Sequence, residues 1–167
     1  EDGDHPQALL DAWLKAMGEI IGEVPFPMGT PKVRRFESGA ALFCAAPIDA
    51  LYAATLANEW SINAARARAE QQSEPELSEA VARIQNQYAE EADPHLLTLI
   101  DEATERGVPI LWDDDDFSIG FGRYSRTWPR SALPKIDEVP WSDLRSIPVI
   151  LITGTNGKTT TASILKS

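Results

Sequence analysis

Cysteine is almost missing: Cys44 is the single one in 167 residues, which excludes an internal disulfide and any cysteine-rich zinc site. That usage suits a reducing compartment, and a cytoplasmic location is expected. Cations are scarce as well. Fifteen Lys and Arg stand against 26 Asp and Glu, a net charge of −11, so attraction to a phosphate backbone is not the chain's default behaviour. Neither nucleic acid nor an anionic membrane is an expected partner. Histidine is limited to the isolated His5 and His95, which suggests neither a catalytic triad nor a metal site. No apolar run approaches the roughly 18 residues that a membrane span requires, and the start Glu1-Asp2-Gly3-Asp4 is the opposite of a basic secretory leader. The first residue is not Met and the last ten residues stop inside the opening turns of a helical pattern, so the chain reads as a fragment of a longer one.

What is present is enough for a core. With 43% hydrophobic and 8% aromatic residues, global disorder is excluded. A compact chain of this length buries roughly 70% of the surface its unfolded form exposes, which suits one domain plus part of another. Apolar residues at three- and four-residue intervals (Leu9, Leu10, Trp13, Leu14, Met17, Ile20, Ile21) predict an amphipathic helix over 7–21, between Pro6 and Gly22. Residues 32–36 and 40–44 read as two strands joined at a glycine turn. Pro47 opens a second helix to about residue 68, with Ile48, Leu51, Tyr52, Leu56 and Trp60 on one face. Ser73 and Glu76 form a capping box ahead of Leu77, Val81, Ile84 and Tyr88. Asp93 and Pro94 start a further helix carrying Leu96, Leu97, Ile100 and Ala103, stopped by Gly107. Residues 108–112 and 117–121 predict a hairpin whose tip is Asp113 to Asp116. Residues 122–146 hold Pro129, Pro134 and Pro140 without periodicity and read as an ordered linker between domains. The run Ile147, Val149, Ile150, Leu151, Ile152 has the composition of a strand covered on both faces, as in a parallel sheet.

Directly after that run comes Thr153-Gly154-Thr155-Asn156-Gly157-Lys158-Thr159-Thr160-Thr161, and a helical pattern follows. Gly154 and Gly157 permit a tight turn whose successive N–H groups point into one concavity, and the helix N-terminus adds its positive dipole end. A polyphosphate such as that of ATP fits there. Lys158 is the residue to reach the β and γ phosphates, and the Thr159 hydroxyl is placed to ligate a bridging Mg²⁺. The spacing Gly-x-x-Gly-Lys-Thr arises by chance in about 0.3% of chains this long, so phosphate binding is preferred to a plain Gly-rich turn with an exposed lysine. The general P-loop pattern has a glycine where this chain has Ile152.

The short form of this loop resembles the Mur ligase family, whose members form amide bonds to amino acids at the expense of ATP. Folylpolyglutamate synthetases of the same superfamily typically have Gly after the lysine, so Thr159 and Thr160 point away from them. Upstream, Ala132-Leu133-Pro134, Val139-Pro140-Trp141 and Ile147-Pro148 are similar to the lead-in of cyanophycin-synthetase-like Mur ligases. Residues 117–128, with Gly120, Gly122 and Arg126, more weakly resemble the segment that ends the N-terminal domain of cyanophycin synthetases. The ATP-grasp domain found in those enzymes between the two segments has no room here. The resemblance covers residues 117–167, and residues 1–116 rest on pattern alone.

The resemblance implies phosphoryl transfer from ATP to a substrate carboxylate, then attack on the acyl phosphate by an amino acid amine. It implies a parent enzyme whose acidic metal ligand and amino acid domain follow residue 167, so that this stretch alone is incomplete. The cofactor-binding set is Gly154, Thr155, Asn156, Gly157, Lys158, Thr159 and Thr160, with Lys158 catalytic and Thr159 on the metal. The expected fold class is α+β: a helix-rich N-terminal domain with short hairpins at 1–121, the linker at 122–146, and at 147–167 the first strand, P-loop and helix start of an α/β P-loop ATPase, the Mur central domain. The alternative is a non-catalytic module whose acidic helices recruit a basic partner, with a remnant P-loop. Residues 70–106, with ten acids and two arginines, would be its surface, and a solvated helical face is the plainer reading.

Other signals are weaker. Asp113 to Asp116 suit a solvated turn better than a cation site. Arg123, Arg126, Arg130 and Lys135 lie in an acid-free stretch ahead of the loop, where surface charge is the plainer reading and a face toward ATP the sharper one. Gly120-Phe121-Gly122 is half of a dinucleotide fingerprint with no helix pattern after it. Cys44 has no nearby base or cation and reads as a buried, inert thiol.

Overall fold

The computed structural model describes residues 5–149, 152, 153 and 158–166. The chain divides into two compact units, the first ending at Leu97 and the second beginning at Thr98. The division falls inside a helix (Pro94–Glu105).

The first unit is built on two helices, α1 (His5–Ile21) and α2 (Leu51–Ala69). Of the stripe its periodicity predicts, α1 buries Trp13, Met17 and Ile20; Ala16 joins them, Leu10, Leu14 and Ile21 are half-buried, and Leu9 is exposed. The face of α2 differs from the expectation. Leu51 and Tyr52 are exposed, and the buried positions are Ala53, Ala57, Trp60, Ser61, Ala64, Ala65 and Ala67. Small side chains let a neighbouring backbone come close, so an alanine stripe takes most of the core face, Trp60 of the expected face stays buried with it, and Leu51 and Tyr52 turn outward. The Trp13 indole N–H donates to Asn58 Oδ1 at 3.0 Å and fixes the register of the two helices. α3 (Leu77–Glu91) adds Ile84, and Tyr88 packs on Phe26 with ring centroids 4.9 Å apart.

α3 begins later than the sequence suggests, at Leu77, and Ser73 and Glu76 form no capping box. Two tertiary contacts hold the preceding strap out of the helix. The Trp60 indole N–H donates to the Pro75 carbonyl at 3.1 Å, and Glu74 pairs with Arg68 at 2.7 Å. Pro75 itself biases residue 74 toward extended backbone. The hairpin of β1 (Lys32–Phe36) and β2 (Gly39–Phe43) pairs antiparallel, with Val33 opposite Leu42 and both packed on the core.

The second unit takes in the last part of α4 (Pro94–Glu105) and Gly107 just after it, whose φ of 65° is the left-handed stop expected there. A meander follows: β3 (Ile110–Trp112), β4 (Asp116–Ile119) and β5 (Arg126–Pro129), in that order in the sheet. Phe117 and Ile119 of β4 are fully buried, and Trp112 meets Phe117 edge-on at 5.7 Å. The stretch expected as a linker is thus folded. It supplies β5, three short 3₁₀ turns and the buried side chains Val139 and Leu144.

The expected strand at 147–152 is not formed at its described residues 147–149 and 152, and residues 150 and 151 lie outside the described set. A β-branched run becomes a strand only when a neighbour takes its N–H and C=O groups, and the sheets among the described residues are β1–β2 and β3–β4–β5. The helix expected after the loop is present as α5 (Lys158–Lys166). The chain is mixed helix and sheet, an α+β arrangement with antiparallel sheets. Among the described residues no helix is long and apolar enough to cross a membrane.

Candidate functional site

α5 opens on Lys158, so Lys158, Thr159 and Thr160 make up its first turn, where helix N–H groups have no partner within the helix. All three side chains are exposed. Gly154, Thr155, Asn156 and Gly157 lie outside the described residues. What is placed is a cation, two hydroxyls and the positive end of a nine-residue helix, consecutive with a Gly-rich stretch. That donor set suits an anion with several oxygens, and the threonine hydroxyls suit a hard cation such as Mg²⁺.

The cations upstream are engaged with aromatic rings. The Arg130 guanidinium lies 4.0 Å from the Trp112 ring centroid, and Arg123 and Arg145 both sit on Tyr124, at 4.8 and 4.6 Å. Arg106 covers Trp141 at 4.8 Å. Lys135 lies 4.0 Å from Glu138 in an exposed pair. Arg126 stands exposed on β5. Arg106 and Arg145 were not apparent beforehand, because a cation–π pair depends on tertiary placement that spacing does not encode. Gly120 and Gly122 also have structural duties, with φ of 86° and 58°.

The acidic surface of 70–106 is partly consumed in the same way. Glu91, at the end of α3, accepts from the backbone N–H of Tyr52 at 3.0 Å and Ala53 at 2.6 Å. The cap position of α2 is Ala50, which has no side-chain oxygen to offer, so a distant carboxylate does the work of a local N-cap. Asp93 Oδ1 accepts from Leu96 N–H at 3.0 Å and starts α4, while buried Asp49 accepts from Asp93 N–H at 3.0 Å. Glu74 is bound to Arg68, which lowers its carboxyl pKa, and Glu102 pairs with Arg106 at 2.8 Å. Replacing Glu91 by Ala is expected to cost about 1–2 kcal/mol of stability, since two helix donors lose a charged acceptor. Urea unfolding measures this, and Glu90→Ala, at an exposed neighbour of the same charge, should change little.

At the β3–β4 tip, Asp113 Oδ1 accepts from the N–H of Asp116 at 2.7 Å and Asp115 at 3.0 Å. These bonds hold the Asp113 carboxyl below its ordinary pKa. Its contribution to the turn is present above the usual carboxylate range and is lost as pH falls through the lowered value. The Cys44 thiol donates to the Gly29 carbonyl at 2.8 Å, and partial burial pushes its pKa up, so it is a poor nucleophile.

One group of residues had no functional role in the sequence reading: Lys32, Arg34 and Arg35 on β1 of the first hairpin, where Phe36 and Phe43 are also exposed. Their signal was available, as a local reversal of sign in an acidic chain. Set beside known proteins, the chain matches no protein-family model and no curated protein.

Proposed function

We propose that residues 1–167 are the N-terminal part of an ATP-dependent ligase of the Mur type, which joins an amino acid to a carboxylate through an acyl phosphate. The observation that supports this reading is the start of α5 on Lys158, consecutive with Gly154-Thr155-Asn156-Gly157. A lysine and two threonines in the first turn after a Gly-rich stretch form the phosphate-holding half of an ATP site. In that role Lys158 neutralises charge on the transferring phosphoryl group, and the helix end orients the triphosphate. Mg²⁺, held on the Thr159 hydroxyl, would supply further charge neutralisation. The engagement of Glu74, Glu91, Asp93 and Glu102 within the fold leaves the rival reading, an acidic recruiting surface, with less free charge than its sequence suggests.

Calorimetric titration of the full-length protein with ATP tests the reading, with and without Mg²⁺. Binding that strengthens with Mg²⁺ in the unmutated protein is expected, together with loss of most of that strengthening in Thr159→Ala. Failure of the full-length protein to bind ATP would overturn it.

A further inference from the structure

The first hairpin reverses the sign of the chain. Within a net charge of −11, residues 30–46 carry Lys32, Arg34 and Arg35 against the single carboxylate Glu37. None of the three cations forms an ion pair with a described residue. Strand alternation sends Val33 and Leu42 to the core, so Lys32, Arg34 and Phe36 share the opposite face with Gly39, Ala41 and Phe43. Phe36 is 55% exposed and Phe43 50%. Lys32 stands across the ladder from Phe43, and Arg34 from Ala41. Beside Phe43 opens a cavity of about 320 Å³, lined by Met28, Leu42, Phe43, Cys44, Leu51 and Asn58 among others. Leu51, half exposed, forms part of its wall.

We propose that this face docks a short acidic peptide segment of a partner protein, held extended across the hairpin. Carboxylates on alternate residues of the segment meet Lys32 and Arg34, and an apolar side chain of the segment packs on the exposed Phe43 ring. The spacing supports an extended occupant: Lys32 and Arg34 are two residues apart on a strand, about 6.6 Å, which is also the repeat of same-face side chains in an extended peptide. Gly39 and Ala41 keep the surface low between the two rings. Charge complementarity selects an anionic occupant, and the acidity of the rest of the chain disfavours a long polyphosphate that would run past the hairpin into repulsion. Cations on a two-stranded sheet also discourage pairing between copies, but that task does not need the two exposed phenylalanines.

The test is fluorescence anisotropy with the whole chain and three labelled probes: a short peptide of alternating Glu and Val ending in Leu, the same peptide with Lys for Glu, and a short oligothymidine. Only the Glu peptide should bind, and less tightly as salt rises. Arg34→Glu should weaken it about tenfold or more, and Phe43→Ser should weaken it at every salt concentration. Thermal melting by circular dichroism should show both variants folded; if either is not, Arg34→Gln and Phe43→Leu are read in their place. The proposal is overturned if the Glu peptide does not bind, if the Lys peptide binds as well, if oligothymidine binds more tightly, or if folded variants at both positions bind the Glu peptide like the unmutated chain.

Discussion

Lys158→Ala in the full-length protein should lower ATP-dependent turnover by about 10²–10³-fold, the effect of removing one preorganised charged donor from a phosphoryl-transfer site. Alanine preserves the helix, because Lys158 is the first residue of α5 and exposed, so the loss would not come from misfolding. The split between constants is informative. If the lysine acts mainly on charge that develops during transfer, kcat falls and the ATP KM moves little; if it only anchors the triphosphate, KM rises and kcat holds. Either pattern fits the proposed site. Turnover indistinguishable from the unmutated protein would sink it.

Gly120→Ala is expected to destabilise the second unit by at least about 3 kcal/mol, through a positive φ combined with a collision. A Cβ at Gly120 would run into the Tyr124 carbonyl oxygen, and would lie 3.2 Å from the Ser125 Cα. Both are backbone atoms and cannot step aside without breaking the turn. Gly120 N–H also donates to the Pro109 carbonyl at 2.7 Å, so a shift at this point disturbs the β3–β4 pairing as well. Gly122→Ala is the comparison. Its added Cβ meets the Ile147 Cδ1 at 2.7 Å, the end of a flexible side chain, and should cost less, about 1–2 kcal/mol. Urea unfolding followed by tryptophan fluorescence reads the difference. Equal stability of Gly120→Ala and the unmutated chain would refute the stated role of this glycine.

Part of the candidate site was legible in the sequence because its signals are local. Gly154, Gly157, Lys158 and Thr159 form a contiguous pattern, and the start of a helix at Lys158 follows from the residues beside it. The arginines were legible as charge but not as geometry. Whether Arg130 faces a ligand or the Trp112 ring depends on β5 returning the chain beside β4, which no local pattern announces. Glu91 was misread for the same reason. In the sequence it is one acid in a run, and in the fold it is the missing N-cap of α2, 38 residues from the amide it binds.

By itself the sequence determined the positions of α1, α3 and α4, the two hairpins and the α+β mixture, since these follow from periodicity, turn residues and stops that act over a few neighbours. Tertiary structure alone decided which face of α2 is buried, why α3 starts at Leu77, and that residues 122–146 fold as part of a sheet-containing unit. Each of these turns on contacts between residues distant in sequence: the alanine stripe against α1, the Trp60 indole on Pro75, and β5 on β4. Strand formation shows the same dependence most plainly. Residues 126–129 became a strand without any β-branched run because a partner lay beside them, whereas the β-branched residues Ile147 and Val149, outside both sheets, did not.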